Sequence, residues 1–524
     1  MSDKTFYITT AISYVNGAPH LGHAYEQILT DVMARFKRLD GYDVMFLTGT
    51  DEHGQKVAKT AEANGMEPQE FCDKIAAKFV DMTDQLNISN DDFIRTTEER
   101  HYKASKAIWK QINANNPDDI YLGKYEGWYS VRDEAYFAES ELTEGEGPDG
   151  QKYKLAPSGA PVEWVEQDSY FFRLSAYTEK LLQLYEDHPE FIEPESRRNE
   201  IISFVKGGLQ DISISRNNFS WGVPVTDDEE HVMYVWLDAL TNYITAIGYP
   251  DTDDEKFKKF WPADYHVIGK DIIRFHCVYW PAFLMAANLP MPKKVFAHGF
   301  INVDGQKMSK SVGNVIAPQD LIDSFGLDQT RYLLMREVPH GQDGNFSKEY
   351  AIQRLNSDLA NGLGNLAQRT LSMIYKNCDG KIPQYSTLTN EDNILLSNAY
   401  TRLIPAVREE GDKMRFHRML ETVWRLVIDA NAYVDVQAPW NLAKEDTERM
   451  ATVLYVLAEV VRVLAITIQS VTPEAADKLL SQLKIPENER LFEHISKDYA
   501  LKAGTEIDKP SGVFPRLDPV EKAA

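Results

Sequence analysis

Two short stretches of the 524-residue chain carry side chains at spacings suited to chemistry. The first, "YVNGAPHLGHAYEQ" from Tyr14 to Gln27, sets His20 and His23 three residues apart with Leu21 and Gly22 between them. As metal ligands they would need a third donor, and neither an HExxH pattern nor a nearby Cys/His cluster supplies one. As an isolated pair they would be ordinary loop or packing residues. A third reading uses the context, which is the turn from a strand into a helix. There, free backbone N–H groups point at an anion, and two imidazoles can donate to phosphate oxygens. Gly22 removes a side chain where a base or ribose must come close.

The second stretch, "DGQKMSKSVGN" from Asp304 to Asn314, sets Lys307 and Lys310 three apart, among Met308, Ser309 and Ser311. Two ammonium groups on one loop suit charge that develops on a phosphate during transfer. Taken alone, the stretch is a solvated basic loop, although Lys293 and Lys294 add local positive charge nearby. There is no Walker loop: the three Gly-Lys pairs are followed by Tyr125, Asp271 and Ile382 rather than Ser or Thr. A nucleotide would have to be gripped at the histidine turn.

The elements that must position these groups follow from periodicity. "KTFYITTAI" reads as a strand. After it, Tyr25, Ile28, Leu29, Val32, Phe36 and Leu39 recur at helical spacing until Gly41. "VMFLTGTD" is a continuous apolar run, the mark of a strand covered on both faces. Strand, helix and strand form a right-handed βαβ unit, and ligands gather at the carboxyl ends of its strands. Both the histidine turn and Asp51 fall there. A second unit lies far downstream: "YHVIG", a helix "DIIRFHCVYWPAFLMAANL" kinked or shortened near Pro281, and "KKVFAHGFI". Between the units, "YLGKYEGWYSVRDEAYFAESEL" reads as short strands and turns, and "EGEGPDGQ" as an exposed loop. From about Ser347 the pattern is helical. The fold class expected is α/β, a split Rossmann-type parallel sheet with an inserted domain, followed by an α-helical bundle.

Composition narrows the options. Hydrophobic content of 43% and mean hydropathy of -0.41 are those of a soluble globular protein. A net charge of -24 excludes bulk attraction to nucleic acid, so any such contact needs a local basic surface. Cys72, Cys277 and Cys378 form no CxxC pair, which argues for a reducing compartment and against a disulfide framework or zinc knuckle. "MSDKTFYITT" lacks the apolar core of a signal peptide, so a cytoplasmic location is expected. The apolar stretch from Val453 is interrupted by Glu459 and Arg462 and reads as a buried helix, not a membrane span.

"HLGH" and "KMSKS" together, in this order and on two βαβ halves split by an insert, resemble the two signature motifs of class I aminoacyl-tRNA synthetases. "GKDIIRFH" resembles the subgroup that activates Met, Leu, Ile, Val and Cys. The Ile, Leu and Val enzymes are much longer, with editing inserts, and the Cys enzyme has a zinc-linked pocket that three scattered cysteines cannot build. Over nearly its whole length the chain resembles the methionyl family. Many members have Pro at the positions of Ser13 and Leu240, so these residues resemble a bacterial and organellar branch. Where many members carry CxxC knuckles this chain has "YEGWYSVRDEAYF", which resembles the zinc-free form.

The resemblance implies an ATP-dependent ligase acting on L-methionine and tRNA(Met), with Mg²⁺ and without zinc, as a monomer. It implies catalytic roles for His20, His23, Lys307 and Lys310. ATP would meet Gly22, Gly269, Asp271, Lys307, Met308, Ser309, Lys310 and Ser311. Methionine would sit among Ala11, Ile12, Tyr14, Asp51, Trp236, Ala239, Leu240, Tyr243, Ile272 and His276. Asp51 would hold the α-ammonium, and Tyr14 and Tyr243 would turn hydroxyls toward the sulfur. Asn365, Arg369 and Trp440 match anticodon-reading residues, although an Asn/Arg pair on a helix is otherwise a solvated face. The implied division is 1–115 with 216–300 for the catalytic halves, 116–215 for a connective insert, 301–346 for the lysine-loop region and 347–524 for the anticodon-binding bundle. Two rivals stand beside this reading: a smaller nucleotidyltransferase using the same histidine turn, and a synthetase-like RNA-binding protein without catalysis.

Overall fold

The β-branched and aromatic run Thr5–Thr10 forms the first strand, β1, buried from Phe6 onward. The computed structural model describes residues 4–133, 135–146, 152–308 and 313–519. Helix α1 (Leu21–Leu39) follows, and its basic residues Lys37 and Arg38 complement the dipole of its last turn. The apolar run Asp43–Asp51 is β2. Further along come helix α2 (Val235–Thr245) and strands β3 (Tyr265–Gly269) and β4 (Val295–His298).

These strands lie in one seven-stranded sheet, all of whose pairings are parallel. β1 stands between β2 and β3, with Thr5 opposite Asp43 on one side and Ile8 opposite Tyr265 on the other. The first βαβ unit therefore grows one way and the second the other. The crevice between the carboxyl ends of β1 and β3 is the switch point where a ligand fits.

One part of the range 116–215 behaves differently from the expected insert. The insert proper is the antiparallel sheet of Ile120–Ser130, Ala135–Phe137, Glu163–Phe172 and Ile212–Ser213. In between, the chain returns to the parallel sheet, where Ile192–Glu193 pairs with β4. The reason is apolar burial: Leu181, Phe191, Ile192, Ile201 and Val205 are all at most 1% exposed and share a core with α2. Glu144–Glu146, read as loop, belong to a hairpin strand paired with Lys152–Leu155, and residues 147–151 lie outside the described residues. Near Pro281 the helix is irregular as expected. A widened turn, Phe275–Tyr279, runs directly into the regular helix Trp280–Ala286, whose first turn holds Pro281, a residue with no N–H to donate.

α1 packs into one continuous apolar core that runs from Ile8 and Val15 into the helical region. At the junction the fully buried Arg331 donates to Asp31 Oδ2 on α1 (2.5 Å) and to the carbonyls of Leu86, Ser470 and Val471 (3.0 Å each). Burial would raise the Asp31 carboxyl, but Arg331, Arg35 and Ser89 outweigh it and hold it below the ordinary range. Lys37 pairs with Asp412 at 2.6 Å, and a Cβ on Gly411 would sit 2.7 Å from the Phe36 ring. The helix Thr447–Ile468 is long and apolar enough to cross a membrane, yet it is buried in the bundle, and Glu459 and Arg462 pair with each other at 2.5 Å.

Removing one partner of a buried pair leaves an uncompensated charge. Arg331→Met is expected to destabilise the protein by about 3–5 kcal/mol. Chemical denaturation checks this, and a loss below about 1 kcal/mol would mean that water replaces the guanidinium at the junction.

Candidate active site

A cavity of about 700 Å³ opens at the switch point. The turn that forms one wall is built by the two histidines themselves. His20 is extended and caps α1: the Gly22 N–H donates to His20 Nδ1 (3.1 Å), and the His20 N–H donates to His23 Nδ1 (3.2 Å). Imidazoles here do what a hydroxyl and a carboxylate do in an ordinary capping box. The two rings lie 3.9 Å apart and tilt by 30°.

Because each Nδ1 accepts a backbone N–H, each ring carries its proton on Nε2. Burial, and then the neighbouring His20, depress the His23 pKa to about 3. His23 is thus a neutral N–H donor. Gly22 has a second reason to lack a side chain, since a Cβ would fall 3.0 Å from His20 Cε1 and displace the capping ring.

The two motifs are joined through the backbone. The Leu21 N–H, at the start of α1, donates to the carbonyl of Ile316, just beyond the lysine stretch (3.0 Å). Strands Ile301–Val303 and Gln306–Lys307 pair across a turn whose Asp304 and Gly305 both have positive φ. Lys307 and Met308 line the cavity. Ser309, Lys310 and Ser311 lie outside the described residues. At the end of β3, Gly269 and Asp271 also line it, and a Cβ on Gly269 would come 2.6 Å from Asp271 Oδ1.

The other end of the cavity is apolar and aromatic. Trp236, Ala239, Leu240 and Tyr243 recur at helical spacing and form one face of α2. Ala11, Ile12, Tyr14 and Asp51 line the opposite side, with Tyr14 in register with Asp51. Trp236 stacks flat on Phe275 at 3.7 Å. Ile272 and His276 come together as their spacing implied: His276 Nδ1–H donates to the Ile272 carbonyl (3.0 Å). Burial lowers the His276 pKa to about 4, so its Nε2 is a lone pair that accepts the Tyr243 hydroxyl proton at 2.7 Å. That proton is therefore engaged by His276 and not turned toward a sulfur, a difference from the sequence expectation. The cause is a partner from another helix, invisible to local spacing.

Two cavity-lining residues went unread in the sequence, Glu26 and His298. His298, at the end of β4, meets Glu26 Oε2 of α1 at 2.8 Å, and its Nδ1–H donates to the Gly299 carbonyl. Burial alone would lower the His298 pKa, but the hydrogen bond and charge of Glu26 outweigh it, so the ring holds its proton more firmly than usual. Glu26 sits three residues past His23 on the same helix, and that was the available signal. Lys56 and the insert residues Arg132 and Asp133 reach the cavity too.

In the bundle, the structure joins Arg369 and Trp440: the guanidinium lies 5.1 Å from the ring centroid. Trp440 is 42% exposed, on a chain reversal where Ala438 takes φ 41° before Pro439. Asn365 is exposed one turn before Arg369. No group of three or more His, Cys, Asp or Glu among the described residues is arranged to hold a metal ion.

Residues 6–371 match the family of class I tRNA synthetases (M), and residues 382–524 match the anticodon binding domain of methionyl tRNA ligase. The chain is 58% identical over 516 residues to the methionine–tRNA ligase of Brucella suis, covering 98% of each. It is 57% identical over 511 residues to that of Rhizobium meliloti, again covering 98% of each. It superposes with a TM-score of 0.94 on Mycobacterium tuberculosis methionyl-tRNA synthetase in complex with methionyl-adenylate, at 53% identity, covering 98% of this chain and 100% of that one. With both of its regions matched and its length spanned by such relatives, the chain belongs to the methionyl-tRNA synthetase family.

Proposed function

We propose that the two-part cavity performs the methionine–tRNA ligase reaction of this family with the following division of labour. A carboxylate oxygen of L-methionine attacks the α-phosphorus of ATP, and pyrophosphate leaves. The methionyl group then passes from the adenylate to the 3′ end of tRNA(Met). No protein nucleophile is needed, so rate comes from positioning and from charge placed where charge develops. The observation that carries the reading is one cavity lined at one end by the histidine turn and Lys307, and at the other by Asp51 and the aromatic face of α2.

His20 and His23 donate Nε2–H to phosphate oxygens, and Lys307 and Lys310 neutralise the departing pyrophosphate. Met308, Ser309 and Ser311 complete that loop around ATP, with Gly22, Gly269 and Asp271 toward base and ribose. Asp51 holds the α-ammonium. Ala11, Ile12, Tyr14, Trp236, Ala239, Leu240, Tyr243, Ile272 and His276 enclose the side chain. Mg²⁺ would arrive bound to the triphosphate and share its negative charge. Asn365, Arg369 and Trp440 offer edge hydrogen bonds and a stacking face to unstacked anticodon bases. The insert needs no zinc in this reading, since Trp128 and Trp164 meet edge to face and Ala156, Ala160 and Val162 form a small apolar cluster.

We take the catalytic halves as 1–115 and 216–300, the insert as 116–215 with its return strand, the lysine-loop region as 301–346 and the bundle as 347–524, in a cytoplasmic monomer. Homocysteine lacks only the terminal methyl of methionine, a difference worth about 1–3 kcal/mol and too small for full discrimination, so by analogy with the family some activated homocysteine is rejected in the same site before transfer.

Pyrophosphate exchange over a panel of amino acids, with Mg²⁺ and no added zinc, is expected to respond to methionine alone. Silence from folded protein would favour an RNA-binding role without catalysis. Gly22→Ala should lower the exchange kcat at least about tenfold while leaving the methionine KM unchanged, because it disturbs the histidine cap and not the amino-acid wall. Lys310→Ala is expected to abolish adenylate formation. Trp440→Ala should keep exchange and lose tRNA charging, and full charging in that variant would remove Trp440 from the anticodon site.

A further inference from the structure

Behind the amino-acid wall lies a buried polar cluster that the reaction does not use. Asp238 sits on α2 between Trp236 and Ala239, pointing away from the cavity, and is fully buried. Its Oδ2 meets His53 Nδ1 at 2.6 Å, and its Oδ1 meets His101 Nε2 at 2.8 Å, with Ser105 Oγ at 3.4 Å. Burial would raise the Asp238 carboxyl, but His53 and His101 outweigh it and keep the group ionised.

The cluster extends to outer partners. The Thr245 hydroxyl stands 2.9 Å from the Thr241 carbonyl, to which it donates, and 3.2 Å from His101 Nδ1. His101 Nε2 faces the Asp238 carboxylate and the Ser105 hydroxyl together, at 2.8 Å and 3.2 Å. His53 donates through Nδ1, and its Nε2 accepts the Tyr102 hydroxyl at 2.9 Å. Such a buried pair adds little net stability over apolar packing, while a directional network holds elements in one arrangement.

Three elements meet here. His53 stands two residues past Asp51, at the end of β2. His101 and Tyr102 belong to the helix Glu99–Asn115, and Asp238 belongs to α2. The cluster thus ties the strand end that offers Asp51 to the helix that offers Trp236, Ala239, Leu240 and Tyr243. We infer that His53, His101 and Asp238 are positioning residues that hold the side-chain wall at a set distance from Asp51, and so select the length of amino acid admitted. This rests on the reading that Asp51 takes the α-ammonium and α2 faces the side chain. Among the described residues, those assigned to the ATP end of the cavity share none of these contacts.

The test is pyrophosphate exchange by the full chain with methionine and with ethionine, which is one methylene longer. Asp238→Asn is expected to raise the methionine KM about tenfold with the ATP KM and kcat within about threefold, and to narrow the methionine-over-ethionine preference at least about fivefold. Tyr102→Phe, a peripheral change chosen so that folding survives, should raise the methionine KM about two- to threefold in the same direction. Equilibrium dialysis of methionine against variants with native circular dichroism gives the same ranking if the clamp acts on binding. Equal rises in both KM values, a fall in kcat alone, or unchanged kinetics in folded variants would overturn the proposal. Asp51→Asn separates the premise: an unchanged methionine KM there refutes the ammonium site and the clamp with it, while a raised one beside a silent Asp238→Asn refutes the clamp only.

Discussion

The pairing of β1 with β3 is the contact on which the rest of the molecule depends. It joins segments that stand 257 residues apart at Thr9 and His266, whose side chains meet at 2.9 Å. Without that ladder the histidine turn and the Gly269–Asp271 end would belong to separate units. With it, two crossovers diverge from one line and leave a crevice that neither fills. The Glu26–His298 contact repeats the join one layer up, between α1 and the end of β4. The chain between the halves can then be long, because parallel pairing constrains only its ends.

The electrostatics of the two ends differ in kind. At the nucleotide end, His23 is held neutral by burial, so it offers direction without charge. Charge comes from lysine, whose flexible stem allows it to follow a departing group. The protein as a whole is strongly acidic, at -24, so these few cations stand out locally against a field that repels free polyphosphate. At the aromatic end, several polar groups are paired within the protein, as in Tyr243 with His276 and, behind the wall, Asp238 with its two histidines. An apolar side chain entering there need not compete for hydrogen bonds.

The fold class was readable because the sheet is parallel and doubly covered, so Thr5–Thr10 and Asp43–Asp51 appear as apolar runs, and α1 shows a regular stripe. The lining residues Trp236 to Tyr243 came only from the family resemblance, since without it their segment reads as an aromatic core stretch. What stayed hidden needs a partner from elsewhere. His298 looks like any strand-end histidine until Glu26 is beside it, and Ile192–Glu193 is too short to signal a strand without β4. The engaged proton of Tyr243 belongs to the same class, since it is decided by a carbonyl at Ile272 acting through His276.

Selecting methionine is a problem of small differences, because neighbouring analogues differ by one methyl or methylene, worth about 1–3 kcal/mol. A wall that moves by a fraction of an ångström would lose most of that. Packing alone tolerates such movement when several apolar residues can shift together. Directional bonds at 2.6–2.8 Å to a buried carboxylate do not, since any shift leaves a charge poorly paired. The cluster behind α2 thus has a physical reason to be polar in a position where apolar residues would serve stability equally well. The same reasoning separates the two ends of the cavity in the proposed function: a turn and the lysines would hold the nucleotide, and a wall braced from behind would hold the amino acid.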